Sequence, residues 1–131
     1  LVALYLIVGV RVDSEITVGE LKNKVKRFCE ARDWDRYHDA KNLAIGIATE
    51  SGELLEKFRF KSSEETEEIL KSSAGKEEIS DEIADILYFT LRFAQKYGID
   101  LSDSLDNKIE KNENKYPVDK AKGSNKKYNE L

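Results

Sequence analysis

The sequence predicts an all-α helical bundle, and three observations carry that expectation. Proline occurs once in 131 residues, 37% of positions are charged, and apolar residues recur at three- and four-residue spacing through most of the chain. Charge this dense belongs on solvated helix faces rather than on a strand-rich sandwich. The length is that of one domain, and 40% apolar residues are enough to build a core.

Each element follows from its caps and its periodicity. Thr17 with Glu20 has the form of a capping box, and Leu21, Val25, Phe28 and Cys29 follow at helical spacing, which predicts a first helix over about 18–32. Asp39 can cap a second helix containing Leu43, Ala44, Ile45, Ile47, Ala48, Leu54, Leu55 and Phe58; its stretch 43–48 is apolar on every face and predicts a central position. Ser62 with Glu65 repeats the capping form ahead of a short acidic helix near 64–71, and 72–75 reads as a loop. A long helix over about 76–97 carries Ile79, Ile83, Ile86, Leu87, Leu91 and Ala94 on its apolar side, with Gly98 placed to cap its end. Ser102 or Asp103 can start a fourth main helix through Leu105 and Ile109 that must end before Pro117. From Val118 onward apolar content is low, and the tail is expected to be flexible unless a ligand or partner orders it. Neither an internal repeat nor a linker is evident. The expected organisation is therefore an apolar extension over 1–16 and one domain with a basic tail over 17–131.

Composition removes several functions. One Cys and one His cannot form a disulfide, a four-ligand zinc site or the paired Glu-x-x-His motifs of a di-iron bundle. Any metal here must be held by oxygen. The apolar run 1–10 is about half of the roughly 20 residues a membrane span needs, and it lacks the preceding basic region of a secretory signal. It reads as a docking arm or strand, with no membrane partner expected and a reducing cytoplasm the default. Nucleic acid is a poor partner for a chain of net charge −4 whose basic residues crowd its end. Residues 50–85 carry twelve acids against five bases, and residues 107–131 carry seven lysines against four acids. That partition fits either a cation site beside an anion site or ordinary solvated faces with a basic tail.

Two carboxylate pairs sharpen the choice. Glu50 and Glu53 share one face of the second helix, and Glu82 and Asp85 share one face of the long helix, both pairs within apolar sequence. If those helices pack antiparallel, four carboxylates meet and repel unless a cation compensates them. Oxygen ligands of this kind favour Mg²⁺ or Mn²⁺. Spacing alone leaves a metal site and an ordinary acidic surface both open. Glu64, Glu65, Glu67 and Glu68 read as solvated surface, and Cys29 as a small buried apolar residue.

The pattern Glu50-x-x-Glu53, a gap, then Glu82-x-x-Asp85 resembles the metal signature of the MazG-like all-α nucleoside triphosphate pyrophosphatases. Phe28 to His38, Asn42-Leu43, Glu50 to Leu54, Lys115-Tyr116-Pro117 and Lys127 to Leu131 resemble the dCTP pyrophosphatase branch, so the likeness spans about 17–131. The resemblance implies Mg²⁺-dependent hydrolysis of a dNTP, dCTP-like substrates first, to monophosphate and pyrophosphate by a helical bundle working as a homodimer or homotetramer. It implies Glu50, Glu53, Glu82 and Asp85 as metal ligands and catalytic groups. It also implies Trp34 and His38 in the base pocket, a polar role for Asn42 at the start of the metal-bearing helix, and phosphate and sugar contacts from Lys108, Asn112, Lys115 and Tyr116. Phe60 stands where the branch often has Trp and Phe89 where it has Tyr, which bears on base preference rather than on the reaction. The alternatives are a related all-α hydrolase acting on dUTP or phosphoribosyl-ATP and, from another class, a non-catalytic helical oligomerisation module.

Overall fold

The computed structural model describes residues 11–131, and no strand occurs among them. The docking arm or strand expected over 1–10 lies outside the described residues, and 13–15 form a short 3₁₀ turn. Six α-helices follow: α1 Val18–Glu30, α2 Ala40–Phe58, α3 Ser63–Lys71, α4 Ser73–Lys96, α5 Leu101–Lys115 and α6 Val118–Ala121. They form two compact units, one ending at Gly98 and one spanning Ile99–Leu131.

The caps act as their residue types require. Thr17 and Glu20 complete a reciprocal capping box, Asp39 accepts from the Asn42 N–H, and Ser62 accepts from the Glu65 N–H. Two boundaries differ from the sequence expectation. The expected loop 72–75 is the start of α4, because the Ser72 hydroxyl accepts from the Gly75 N–H and lets the helix begin at Ser73. α5 begins one residue or two earlier than expected because Asp100 takes the capping role, accepting from the Asp103 N–H. Gly98 stands just past α4 with φ +64°, a left-handed conformation glycine adopts without steric cost.

In the first unit α4 is the central element, packing on α1, α2 and α3. It takes the place the all-round apolar stretch of α2 was expected to hold. α2 and α4 run antiparallel: His38, just ahead of α2, meets Arg92, Gly46 meets Phe89, and Lys57 meets Glu78. The buried core of the first unit is Cys29 from α1, Leu43 from α2 and Ile79, Leu91 and Ala94 from α4. Cys29 is fully buried as expected, sharing a 3.0 Å hydrogen bond with the Tyr88 hydroxyl across α1 and α4. Ile45 and Leu55 on α2 and Ile83 and Leu87 on α4 stay exposed in the single chain. An apolar stripe that wide exceeds what these helices bury against each other.

The second unit is α5 with the C-terminal segment folded onto its end. Tyr116 caps α5, its ring lies 6.1 Å from that of Tyr128, and the Lys115 ammonium sits 5.1 Å over the Tyr128 ring. The tail expected to be flexible thus carries a four-residue helix and a 3₁₀ turn held by these aromatic contacts.

Candidate active site

The antiparallel pairing of α2 and α4 brings three carboxylates together. Oxygens of Glu50, Glu53 and Glu82 lie within 4.8 Å of one another, a geometry that can hold a cation. Glu50 Oε2 and Glu82 Oε2 are buried and have no hydrogen-bond partner. Leaving two acceptors dry in this way is costly unless something positive occupies the space between them. Asp85, the fourth carboxylate of the sequence pattern, is exposed and stands outside the group of three. Its charge nevertheless bears on both Glu50 and Glu82.

The electrostatics record the crowding. Burial, then a hydrogen-bonded contact with Glu53, then the charges of Glu53, Asp85 and Glu82 push the Glu50 carboxyl above the ordinary carboxylate range. Burial and the Glu53 charge do the same for Glu82, opposed by the Lys57 ammonium. Lys57 lies 3.8 Å from Glu82 and 3.6 Å from Glu78, the one cation among the groups that shift these two acids. A single ammonium does not balance the cluster. The donor set, all oxygen with two dry acceptors, fits a hard divalent cation.

Beside the carboxylates an open cleft of about 480 Å³ is lined by Arg36, Tyr37, His38, Asn42, Ile45, Gly46, Thr49, Glu50 and Phe89. Of the residues expected at the base and sugar, His38, Asn42 and Phe89 line it. Trp34 does not, packing edge-on against Phe28 and His38 with centroids 5.7 and 6.2 Å away. Phe60 does not either; it occupies the turn after α2 at φ +62°, 91% exposed, under the Arg59 guanidinium. Lys108, Asn112 and Lys115 follow one another along a face of α5, with Tyr116 at its end, in the second unit.

Sequence reasoning missed the groups behind His38. Arg92 is completely buried and donates from Nε to His38 Nδ1 at 3.1 Å, from Nη1 to Gln95 Oε1 at 2.6 Å and from Nη2 to Asp35 Oδ1 at 2.9 Å. Lys96 donates to the Asp35 carbonyl and lies 3.3 Å from its carboxylate. The signal available was an arginine inside the apolar run Leu91-Arg92-Phe93-Ala94, a place where a charge survives only if it is paired.

Comparison with known proteins places the chain in a family. The sequence profile of the MazG-like family matches residues 45–131, which include all four carboxylates. The chain belongs to the MazG-like family. Among its relatives, bovine (Bos taurus) dCTP pyrophosphatase 1 is 31% identical over 118 residues, 90% of this chain and 70% of the relative. The Homo sapiens dCTP pyrophosphatase 1 is 29% identical over 117 residues, 89% and 69% of the respective chains. The structure of a pyrophosphatase from Archaeoglobus fulgidus superimposes with a TM-score of 0.72 at 37% identity, covering 82% of this chain and 99% of that one. This MazG-like chain therefore shares fold and sequence with enzymes that carry pyrophosphatase names. No described helix is long and apolar enough to cross a membrane.

Proposed function

We propose that this MazG-like chain is a Mg²⁺-dependent nucleoside triphosphate pyrophosphohydrolase that cleaves dNTPs, dCTP-like substrates first, to the monophosphate and pyrophosphate. The observation that carries the reading is the convergence of Glu50, Glu53 and Glu82 with two buried, unpartnered oxygens, beside an open cleft of about 480 Å³. Structural carboxylates would have both oxygens satisfied by donors, whereas here Glu50 Oε2 and Glu82 Oε2 are left as bare acceptors.

In this reading Glu50, Glu53, Glu82 and Asp85 hold Mg²⁺, with Mn²⁺ able to replace it. When bound, such an ion neutralises phosphate charge and acidifies water for attack. The rest is the work of the chain. His38, Asn42 and Phe89 receive the base and sugar in the cleft, and Lys108, Asn112, Lys115 and Tyr116 bind phosphate and sugar oxygens. Trp34 acts on the base through the ring of His38, against which it packs.

The exposed Ile45, Leu55, Ile83 and Leu87 support a homodimer or homotetramer, because a second copy of the same face would cover them. The single buried thiol of Cys29 supports a cytoplasmic setting. A dNTP panel with pyrophosphate detection, run with Mg²⁺ and with EDTA, tests the reading. Metal-dependent release of pyrophosphate with a pyrimidine preference is expected, and a preferred purine triphosphate would overturn the dCTP assignment.

A further inference from the structure

We propose that Arg92 is a positioning residue that locks His38 as the Nε2–H tautomer, so that the cleft meets the nucleobase with a hydrogen-bond donor. This rests on the proposed activity for its substrate and on the geometry of the first unit for everything else.

A guanidinium has only donors and keeps its charge throughout the accessible pH range. With Arg92 Nε 3.1 Å from His38 Nδ1, that ring nitrogen must accept, and the imidazole proton is confined to Nε2. The guanidinium is held at its other nitrogens as well. Asp35 Oδ1 and Gln95 Oε1 take its two terminal nitrogens, and Lys96 holds Asp35 in place. The Trp34 ring packs edge-on against the imidazole, with centroids 6.2 Å apart. Burying a charge completely at such a position is expensive, and an apolar side chain of similar volume would fill the space at lower cost. What the arginine adds is directed hydrogen bonding, and one of its three bonded nitrogens is committed to a residue lining the nucleotide cleft.

The consequence is chemical selection. Cytosine presents an acceptor at ring N3, whereas thymine and uracil present an N–H there. A locked donor pairs with the first and leaves the second with two hydrogens facing each other. A site with an unpaired polar group rejects the wrong partner far better than an apolar wall does.

His38 is the only histidine in the chain, so ¹⁵N labelling of histidine reports this ring alone. In the wild-type protein Nε2 should carry the proton and Nδ1 should be bare. Arg92→Gln, whose amide can donate or accept, should populate both tautomers and lower the dCTP-to-dTTP ratio of kcat/KM about tenfold, the effect of one hydrogen bond. Arg92→Lys, a donor only, should restore both the tautomer and the ratio. If Arg92→Gln does not fold, Asp35→Asn at its exposed position loosens the same guanidinium and should move both readouts in the same direction. A protonated Nδ1 in the wild type overturns the proposal whatever the activity, as does a ratio that falls with no change of tautomer or a tautomer that mixes with no change of ratio. A wild-type chain with the Nε2–H tautomer that cleaves no dNTP contradicts the proposed activity instead, and removes the donor's role in base choice with it.

Discussion

A Cβ built on Gly46 would stand 2.6 Å from Phe89 Cδ1, so α2 and α4 approach at a point where only a hydrogen fits. Both residues line the cleft, and Glu50 lies one turn further along α2 from Gly46, with Glu53 a turn beyond it. The close approach of two helices and the shape of the proposed base site are therefore one feature. Gly46→Ala should gain about 1 kcal/mol of helix propensity and lose more by overpacking, typically about 1–3 kcal/mol, for a net fall in melting temperature. Trimming Phe89 to Leu in the same chain should recover part of that loss. An alanine variant as stable as the wild type would show that the helices can separate without cost.

The carboxylate cluster predicts an inverse relation between stability and activity. Glu53→Gln removes a charge from the group that burdens Glu50 and Glu82, so it should raise the metal-free melting temperature while abolishing turnover. Asp85→Asn should also abolish turnover, with a smaller stabilisation because Asp85 lies outside the convergent three. Retention of more than about a tenth of activity in both variants, a loss under about 1.4 kcal/mol of barrier, would defeat the ligand assignment.

Glu50 and Glu82 set a pH dependence. Their folded pKa values are raised, so the folded metal-free chain holds these protons more tightly than the unfolded chain does. Their contribution to stability is present below the unfolded value of about 4.3 and is lost as pH rises through the folded values. A cation that replaces those protons should stabilise the protein more at about pH 8 than at about pH 5. Thermal shifts with Mg²⁺ at the two pH values check this, and equal shifts would mean that the ion binds elsewhere.

How far the fold and site are readable from sequence depends on the range of the interaction. Caps are local chemistry, so Thr17/Glu20, Asp39 and Ser62 are legible as helix starts from the residue types alone. Ser72 is not, because a serine pair followed by Ala-Gly reads equally well as a loop and as a cap with its first turn. The Glu50/Glu53 and Glu82/Asp85 pairs are visible as faces of two helices, and the meeting of Glu50, Glu53 and Glu82 needs only the antiparallel packing in which Gly46 lies against Phe89. The buried Arg92 is hidden, since its partners Asp35 and His38 lie more than fifty residues away in sequence. Trp34 and Phe60 look like a stacking pair by residue type, but the turn geometry after α2 sends Phe60 to the surface.

For the basic segment, truncation after Asn107 removes Lys108, Asn112, Lys115 and Tyr116 and should weaken nucleotide binding more than Mg²⁺ binding. Nucleotide should also protect the full-length tail from proteolysis. Ionic strength must be matched in both assays, because lysine–phosphate attraction is screened over about 8 Å at physiological salt. Equal cleavage with and without nucleotide would assign the lysines to solvation alone.

The central claim is that these carboxylates serve pyrophosphate release from a dNTP, and product analysis tests it most directly. Wild-type protein incubated with dCTP and Mg²⁺ should yield dCMP and pyrophosphate in equal amounts, with the reaction stopped by EDTA and lost in Glu53→Gln. Release of orthophosphate, or hydrolysis that proceeds unchanged in EDTA, would contradict the account.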